Sequence, residues 1–242
     1  APLLGAPPAG PVAREAAPGV STVNVTPAEA MREYGLMVLK FRTIYEAVFE
    51  NRVVRFFLKV VPSLAELVML GKILHEVRLE EDGRRRWDLV ILDAPATGHA
   101  VQLLRVPAAL VDTVPGGPLR HDAERMRDLL VDPELTALSI VTLPEEMPVS
   151  ESIDLDAQVR GLLGIPRGVL FLNARPEARF SEEERARLER REGDPAPLGP
   201  AVRAALLQAG RAAEAARYAA RARAALDLSA VVLPLLPVPD WG

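Results

Sequence analysis

Asp88-Leu89-Val90-Ile91-Leu92-Asp93-Ala94-Pro95-Ala96-Thr97-Gly98-His99 passes from an apolar run to an acid, then through a Pro/Gly turn into the start of a helix. The spacing predicts a strand over 87–92 with Asp93 at its tip. An acid in that position can hold a Mg²⁺-bound water beside phosphate oxygens. Thr97 and Gly98 let the backbone turn closely at a helix N-terminus, where free N–H groups and the helix dipole favour an anion. By pattern alone the same Asp serves equally well as an N-cap or a turn-stabilising residue, so the spacing leaves both readings open.

Four further short apolar runs lie at 20–25, 137–143, 168–172 and 230–236. Most of the runs read as continuous Val/Ile/Leu rather than as an alternation, and helical patterns separate them. That combination predicts an α/β fold with a parallel sheet covered on both faces. The intervening helices are expected at about 98–112, 119–131, 150–163, 181–191 and 198–226. In the last of these, Leu206, Ala209, Ala213 and Ala216 are read as the packing stripe. Residues 1–19, rich in Pro, Gly and Ala, read as a loop leading into the first strand.

Thr26-Pro27-Ala28-Glu29 combines a capping hydroxyl, a proline at the first helical position and an early acid, so a helix is expected to begin there and run to about Glu50. A second helix is expected from Pro62, with Leu64, Leu67, Val68 and Leu70 on its apolar side, ending in the charged turn Glu80-Glu81-Asp82-Gly83. The whole chain, 1–242, is read as one α/β domain with 27–80 as a helical insertion on the sheet. Met31, Met37 and Met69, with Phe41, Tyr45, Phe49, Phe56 and Phe57, could form an adaptable groove for a client helix, although core packing is the simpler reading.

Composition narrows the classes. The 242 residues carry 29 Lys and Arg against 33 Asp and Glu, for a formal net charge of -4. The basic residues are interleaved with acids, which disfavours nucleic acid. There are no cysteines, which excludes disulfides and a thiolate zinc site and fits a reducing compartment, so the expected location is the cytoplasm. No apolar stretch reaches the roughly 18 residues of a spanning helix, so no transmembrane segment is expected. His75, His99 and His121 show no metal-ligand spacing.

The run Asp93-Ala94-Pro95-Ala96-Thr97-Gly98-His99, continued by Leu103-Leu104-Arg105-Val106-Pro107, resembles the switch II sequence of the ArsA-type and tail-anchored-protein-targeting ATPases, a family of deviant phosphate-loop (P-loop) NTPases. The resemblance extends in order to Pro62-Ser63-Leu64-Ala65-Glu66-Leu67, to Leu143-Pro144-Glu145-Glu146-Met147 with Glu151, to Asn173, and to Leu233-Pro234-Leu235. It implies a three-layer parallel-sheet fold of the SIMIBI class, here without its first strands, and an ATP- and Mg²⁺-dependent hydrolase working as a homodimer or a heterodimer. It further implies that Asp93 faces Mg²⁺ through water and is the catalytic acid, that Ala94, Pro95, Thr97, Gly98 and His99 form the nucleotide-sensing switch, that Asn173 reads the adenine and that Pro234 borders it. Glu145 and Glu146 fall in a dimer or nucleotide-proximal loop.

The family's Gly-rich loop ending in Gly-Lys-Thr is absent from the 242 residues. Gly71-Lys72 sits in a helical pattern and is followed by Ile73, so it is read as a surface lysine. The expectation is a piece of a longer ATPase, inactive by itself. The alternatives are a non-catalytic partner of a phosphate-loop chain and a nucleotide-independent chaperone for hydrophobic segments. The family's arsenite and zinc thiols have no counterpart here.

Overall fold

A computed structural model describes residues 5–39 and 64–236. These residues fall into two compact units divided between Leu135 and Thr136. The expected end of the first helix near Glu50, the helix start at Pro62, and Phe41, Tyr45, Phe49, Phe56 and Phe57 lie outside the described residues.

In the first unit, strands β1 (Arg14–Ala17) and β2 (Val20–Thr22) pair antiparallel. Gly19 at φ 74° makes the turn between them, and its N–H donates to Glu15 Oε1 at 3.1 Å. The expectation of a loop followed by a strand of the parallel sheet is therefore corrected, because β2 is the second arm of a local hairpin. Helix α1 (Pro27–Leu39) begins where the capping signal placed it. Thr26 Oγ1 accepts from the Glu29 N–H at 3.4 Å and donates to Glu29 Oε2 at 2.7 Å.

Helix α2 (Leu64–Arg78) buries Leu67, Val68, Leu70 and Leu74 and packs along α1. Lys72 is helical, which upholds its rejection as a phosphate-loop lysine, but it is not a surface residue. Its side chain is 7% exposed, pairs with Glu33 at 2.6 Å and donates to the Pro11 carbonyl at 2.9 Å. Pairing is what allows a lysine to be buried at all.

The charged turn after α2 is a small hairpin, β3 (Glu80–Glu81) and β4 (Arg84–Arg85), closed by Asp82 and Gly83 in the left-handed region. Helices α3 (Thr97–Thr113) and α4 (Pro118–Val131) complete the unit. Leu103 and Val106 of α3 and Met126 of α4 meet Leu67, Leu70 and Leu74 in one core, against which Met69 also packs. Arg120 donates to the Val111 and Val114 carbonyls at 2.6 and 2.8 Å, which satisfies acceptors at the end of α3 and ties α4 to them.

The second unit is built on a parallel sheet in the order β5 (Leu138–Thr142), β6 (Arg167–Arg175), β7 (Ala230–Pro234). The α/β class and parallel pairing expected from the sequence are as observed, and the arrangement is consistent with a phosphate-loop NTPase-like fold. Helix α5 (Glu146–Gln158) runs into a π turn (Val159–Leu163) that Gly164 ends at φ 64°. Helices α6 (Glu182–Glu189) and α7 (Leu198–Leu226) follow β6.

Register fixes which residues share a face. Ile140, Leu170 and Leu172 lie on the side where Val149 of α5 and Tyr218, Ala219, Ala222 and Leu226 of α7 close a core. Val141, Phe171 and Val231 align on the other side, where Val141 is 64% and Val231 43% exposed. The expectation of cover on both faces is thus met on one face only among the described residues. The packing stripe of α7 is also shifted, since Ala212, Ala215, Ala219 and Ala222 are buried and Ala213 is exposed.

Asp156 of α5 is the most buried charge of the unit, its side chain 1% exposed. It pairs with Arg160 at 3.0 Å and Arg167 at 3.2 Å, and Arg167 also donates to the Leu226 carbonyl at 2.9 Å. One carboxylate so fastens α5, the π turn, β6 and the end of α7.

Ser181 and Glu184 form a reciprocal capping box at the start of α6. The Ser181 N–H and hydroxyl hold the Glu184 carboxyl below the usual glutamate range. A lowered folded-state value means that this contribution is complete above the ordinary glutamate range and is lost as pH falls through Glu184's own lower range. Ser181→Ala is expected to move the Glu184 titration back up, read from its side-chain carboxyl carbon by NMR. The backbone N–H, the larger cause, stays in that variant, so the return is partial, and an unmoved titration would take the Ser181 hydroxyl out of the shift.

Candidate functional site

The stretch 88–99 belongs to the first unit. Its base is anchored at Trp87, whose Nε1 donates to Glu76 Oε2 at 3.0 Å and whose ring lies under the Arg86 guanidinium at 4.6 Å. From Asp88 to Pro95 no regular structure is present. The expected strand over 87–92 is corrected accordingly. A strand exists through its ladder, and no described strand pairs with this run, so Leu89 and Ile91 are 76% and 81% exposed.

Asp93, Ala94, Pro95, Gly98 and His99 are all exposed. The N-cap of α3 is Ala96, which offers no side-chain cap, and the His99 and Ala100 N–H groups donate to its carbonyl at 2.9 and 3.1 Å. Asp93 is therefore not the helix cap. Among the described residues no hydrogen bond or ion pair engages its side chain, so it does not stabilise a turn there either. Gly98 lies in the first helical turn with no positive φ, and an added Cβ would meet nothing within 4 Å. Local backbone geometry does not require a glycine there; its effect is to leave the start of α3 open to close approach from outside.

In the second unit the ends of β5, β6 and β7 lie along one edge, the C-terminal edge where open α/β sheets carry ligands. After β5, Glu145 is the extended N-cap of α5, at φ -131° and ψ 162°, and its side chain is exposed with no partner among the described residues. Glu146 is engaged. Its Oε2 accepts from the Tyr218 hydroxyl at 3.1 Å, and that hydroxyl accepts from Arg217 at 3.2 Å, which binds the first turn of α5 to α7. The two neighbouring acids therefore have different work, a difference their sequence does not show.

Asn173 and Pro234 are brought to adjacent strand ends. Arg175 is in register with Pro234, and the Leu235 N–H donates to the Arg175 carbonyl at 2.9 Å. Asn173 is exposed, and its Oδ1 accepts from the Ala174 N–H at 2.9 Å. Ala174 stands at φ 51°, in the left-handed region, beside an irregularity in the β6–β7 register. Sequence reasoning did not single out Ala174, because alanine does not announce a positive φ as glycine would; nor did it find Tyr218 or Trp87.

No cluster of three or more His, Asp or Glu side chains able to hold a metal occurs among the described residues. No helix among the described residues is long and apolar enough to cross a membrane.

Comparison with known proteins bears on the same stretch. The model of the anion-transporting (ArsA-type) ATPase family matches residues 14–115, which include 88–99. The ATPase BagA of Mycobacterium tuberculosis and the Mycobacterium bovis protein Mb3704 are each 30% identical over 201 residues, covering 77% of this chain. The chain spans 57% of the length of these relatives. The chain belongs to the ArsA-type ATPase family.

Proposed function

We propose that the protein of which this chain is part hydrolyses ATP with Mg²⁺ and couples hydrolysis to a change of conformation. The observation that carries the reading is Asp93, an exposed carboxylate bonded to no described residue through its side chain, placed just before the open, uncapped N-terminus of α3. In this reading Asp93 holds a Mg²⁺-bound water and orients the attacking one. The amides of Thr97 and Gly98 meet the terminal phosphate, His99 stands in the same turn as part of the switch, and Ala94 and Pro95 set the turn between them and Asp93. Bound Mg²⁺ supplies charge neutralisation at the phosphate oxygens. Asn173 and Pro234 hold the base, and Glu145 is the free acid at the end of β5 for a nucleotide-proximal or dimer contact.

The phosphate loop comes from outside these 242 residues, either elsewhere in the same protein or from a second, phosphate-loop-bearing chain in a dimer. The natural-length protein is expected to release phosphate from ATP, and EDTA is expected to abolish the release. Absence of Mg²⁺-dependent turnover, alone and with a phosphate-loop-bearing partner, would replace this reading with that of a non-catalytic subunit.

A further inference from the structure

We propose that Tyr218 is a positioning residue for the loop after β5, holding Glu146 on the helix-covered side of the sheet so that Glu145 is the one acid of the pair left untethered at the nucleotide edge. The inference rests on the reading that a nucleotide lies at the ends of β5, β6 and β7, and adds to it how the site keeps a second negative charge away from the phosphates.

Glu145 and Glu146 follow β5 as consecutive carboxylates. Their own turn does not separate them. Helix α5 has no side-chain cap, and Pro148, at its third position, has no N–H for such a cap to reach. The separation comes from α7. The Tyr218 ring is 8% exposed and lies in the core with Ile140, Val149 and Leu170, so packing sets the direction of its hydroxyl. That hydroxyl accepts from Arg217 Nη2 at 3.2 Å, and its single proton goes to Glu146 Oε2 at 3.1 Å. Arg217 itself stays on α7, with its guanidinium over the Tyr218 ring at 4.8 Å and Nη2 at 3.4 Å from Glu214.

The tether also fixes a side. Residues of α5 and α7 pack on the face of Ile140, Leu170 and Leu172. Asn173 follows Leu172 in β6, and alternation along a strand sends it to the opposite face. Tyr218 therefore draws Glu146 away from the Asn173 side. Glu146 is exposed and its second oxygen stays in water, so the tether sets where the charge stands and does not remove it. Without the hydroxyl, the Glu146 carboxylate is free to swing about the first turn of α5, one strand from Asn173, because β5 pairs with β6. A carboxylate that moves toward a triphosphate repels it, and salt screens that repulsion.

The test is equilibrium binding of ATP with Mg²⁺, and of adenosine, to the natural-length protein by calorimetry at low and high salt. Tyr218→Phe keeps the ring and loses the hydroxyl. It is expected to bind ATP about fivefold more weakly at low salt, to lose most of that difference at about 1 M salt, and to bind adenosine as the unaltered protein does. Glu146→Gln added to Tyr218→Phe is expected to restore ATP affinity, since an amide has no charge to repel phosphate. Glu146→Asp keeps the charge but is too short to reach the Tyr218 hydroxyl, so it is expected to show the same salt-dependent loss.

Unchanged ATP affinity in Tyr218→Phe, or a loss that Glu146→Gln does not restore, would overturn the role of Tyr218. An equal loss for ATP and adenosine would make the hydroxyl a packing group and overturn it as well. If Tyr218→Phe does not fold, Glu146→Asp at its exposed position decides the matter by the same readouts. Unaltered protein that binds no ATP would remove the nucleotide reading and this inference with it, whereas ATP binding that none of these variants changes would remove the inference alone.

Discussion

Asp93→Asn in the natural-length protein is expected to lower kcat for ATP hydrolysis by about 100-fold or more while ATP affinity stays within about threefold. Asn has nearly the shape of Asp and lacks its charge. The charge is what holds a Mg²⁺-bound water and orients the attacking one, and it matters most as the transition state develops. A structural explanation of such a loss is already closed off, because Asp93 caps no helix and bonds to no described side chain. Steady-state turnover paired with direct nucleotide binding separates the two effects. Turnover equal to that of the unaltered protein would take Asp93 out of the mechanism, and a parallel loss of affinity would make it a binding group instead.

Asp156→Ala is expected to destabilise the second unit by about 3 kcal/mol, at the lower end of what breaking a buried ion pair costs. The carboxylate is nearly inaccessible, but its partners are less so, Arg167 being 28% and Arg160 57% exposed. Water can therefore reach the guanidinium groups left behind, which moderates the penalty. The loss should appear as faster amide exchange at Leu170 and Leu172 in the core strand β6, a readout that does not assume the two units unfold together. Replacing both members, Asp156→Leu with Arg167→Leu, should recover much of the loss, since no buried charge then stands alone. A change below about 1 kcal/mol in Asp156→Ala would mean that packing, not this carboxylate, fastens the unit.

Some local signals in the sequence were legible to the residue. Helix α7 spans 198–226 as expected, α1 starts at Pro27 behind its Thr26 cap, and α6 falls within the expected 181–191. Three apolar runs became the parallel strands β5, β6 and β7. What failed depends on partners. The run 87–92 has the composition of a buried strand, but a strand also needs a neighbour. Lys72 looked solvated because Glu33 lies 39 residues away in sequence. The buried side of α7 was misjudged because alanines recur on all its faces, so hydrophobic contrast is too weak to orient it.

The same division holds at the candidate site. Asn173 and Pro234 were named from the sequence, and β6 and β7 place them at neighbouring strand ends. That Asp93 is neither cap nor turn residue could not be read from its neighbours, since the pattern of a functional acid and of an N-cap acid is the same. Glu145 and Glu146 are chemically identical in sequence, and only the position of Tyr218, 72 residues from Glu146, distinguishes them.

The bare apolar run between Asp88 and Asp93 has a colloidal consequence. Leu89, Val90, Ile91 and Leu92 form a sticky tetrad that could template intermolecular β-pairing, with one acid on each side acting as gatekeeper. Neutralising Asp93 strips away half of that protection, so the 242-residue chain carrying Asp93→Asn should precipitate at lower concentration than the same chain unaltered.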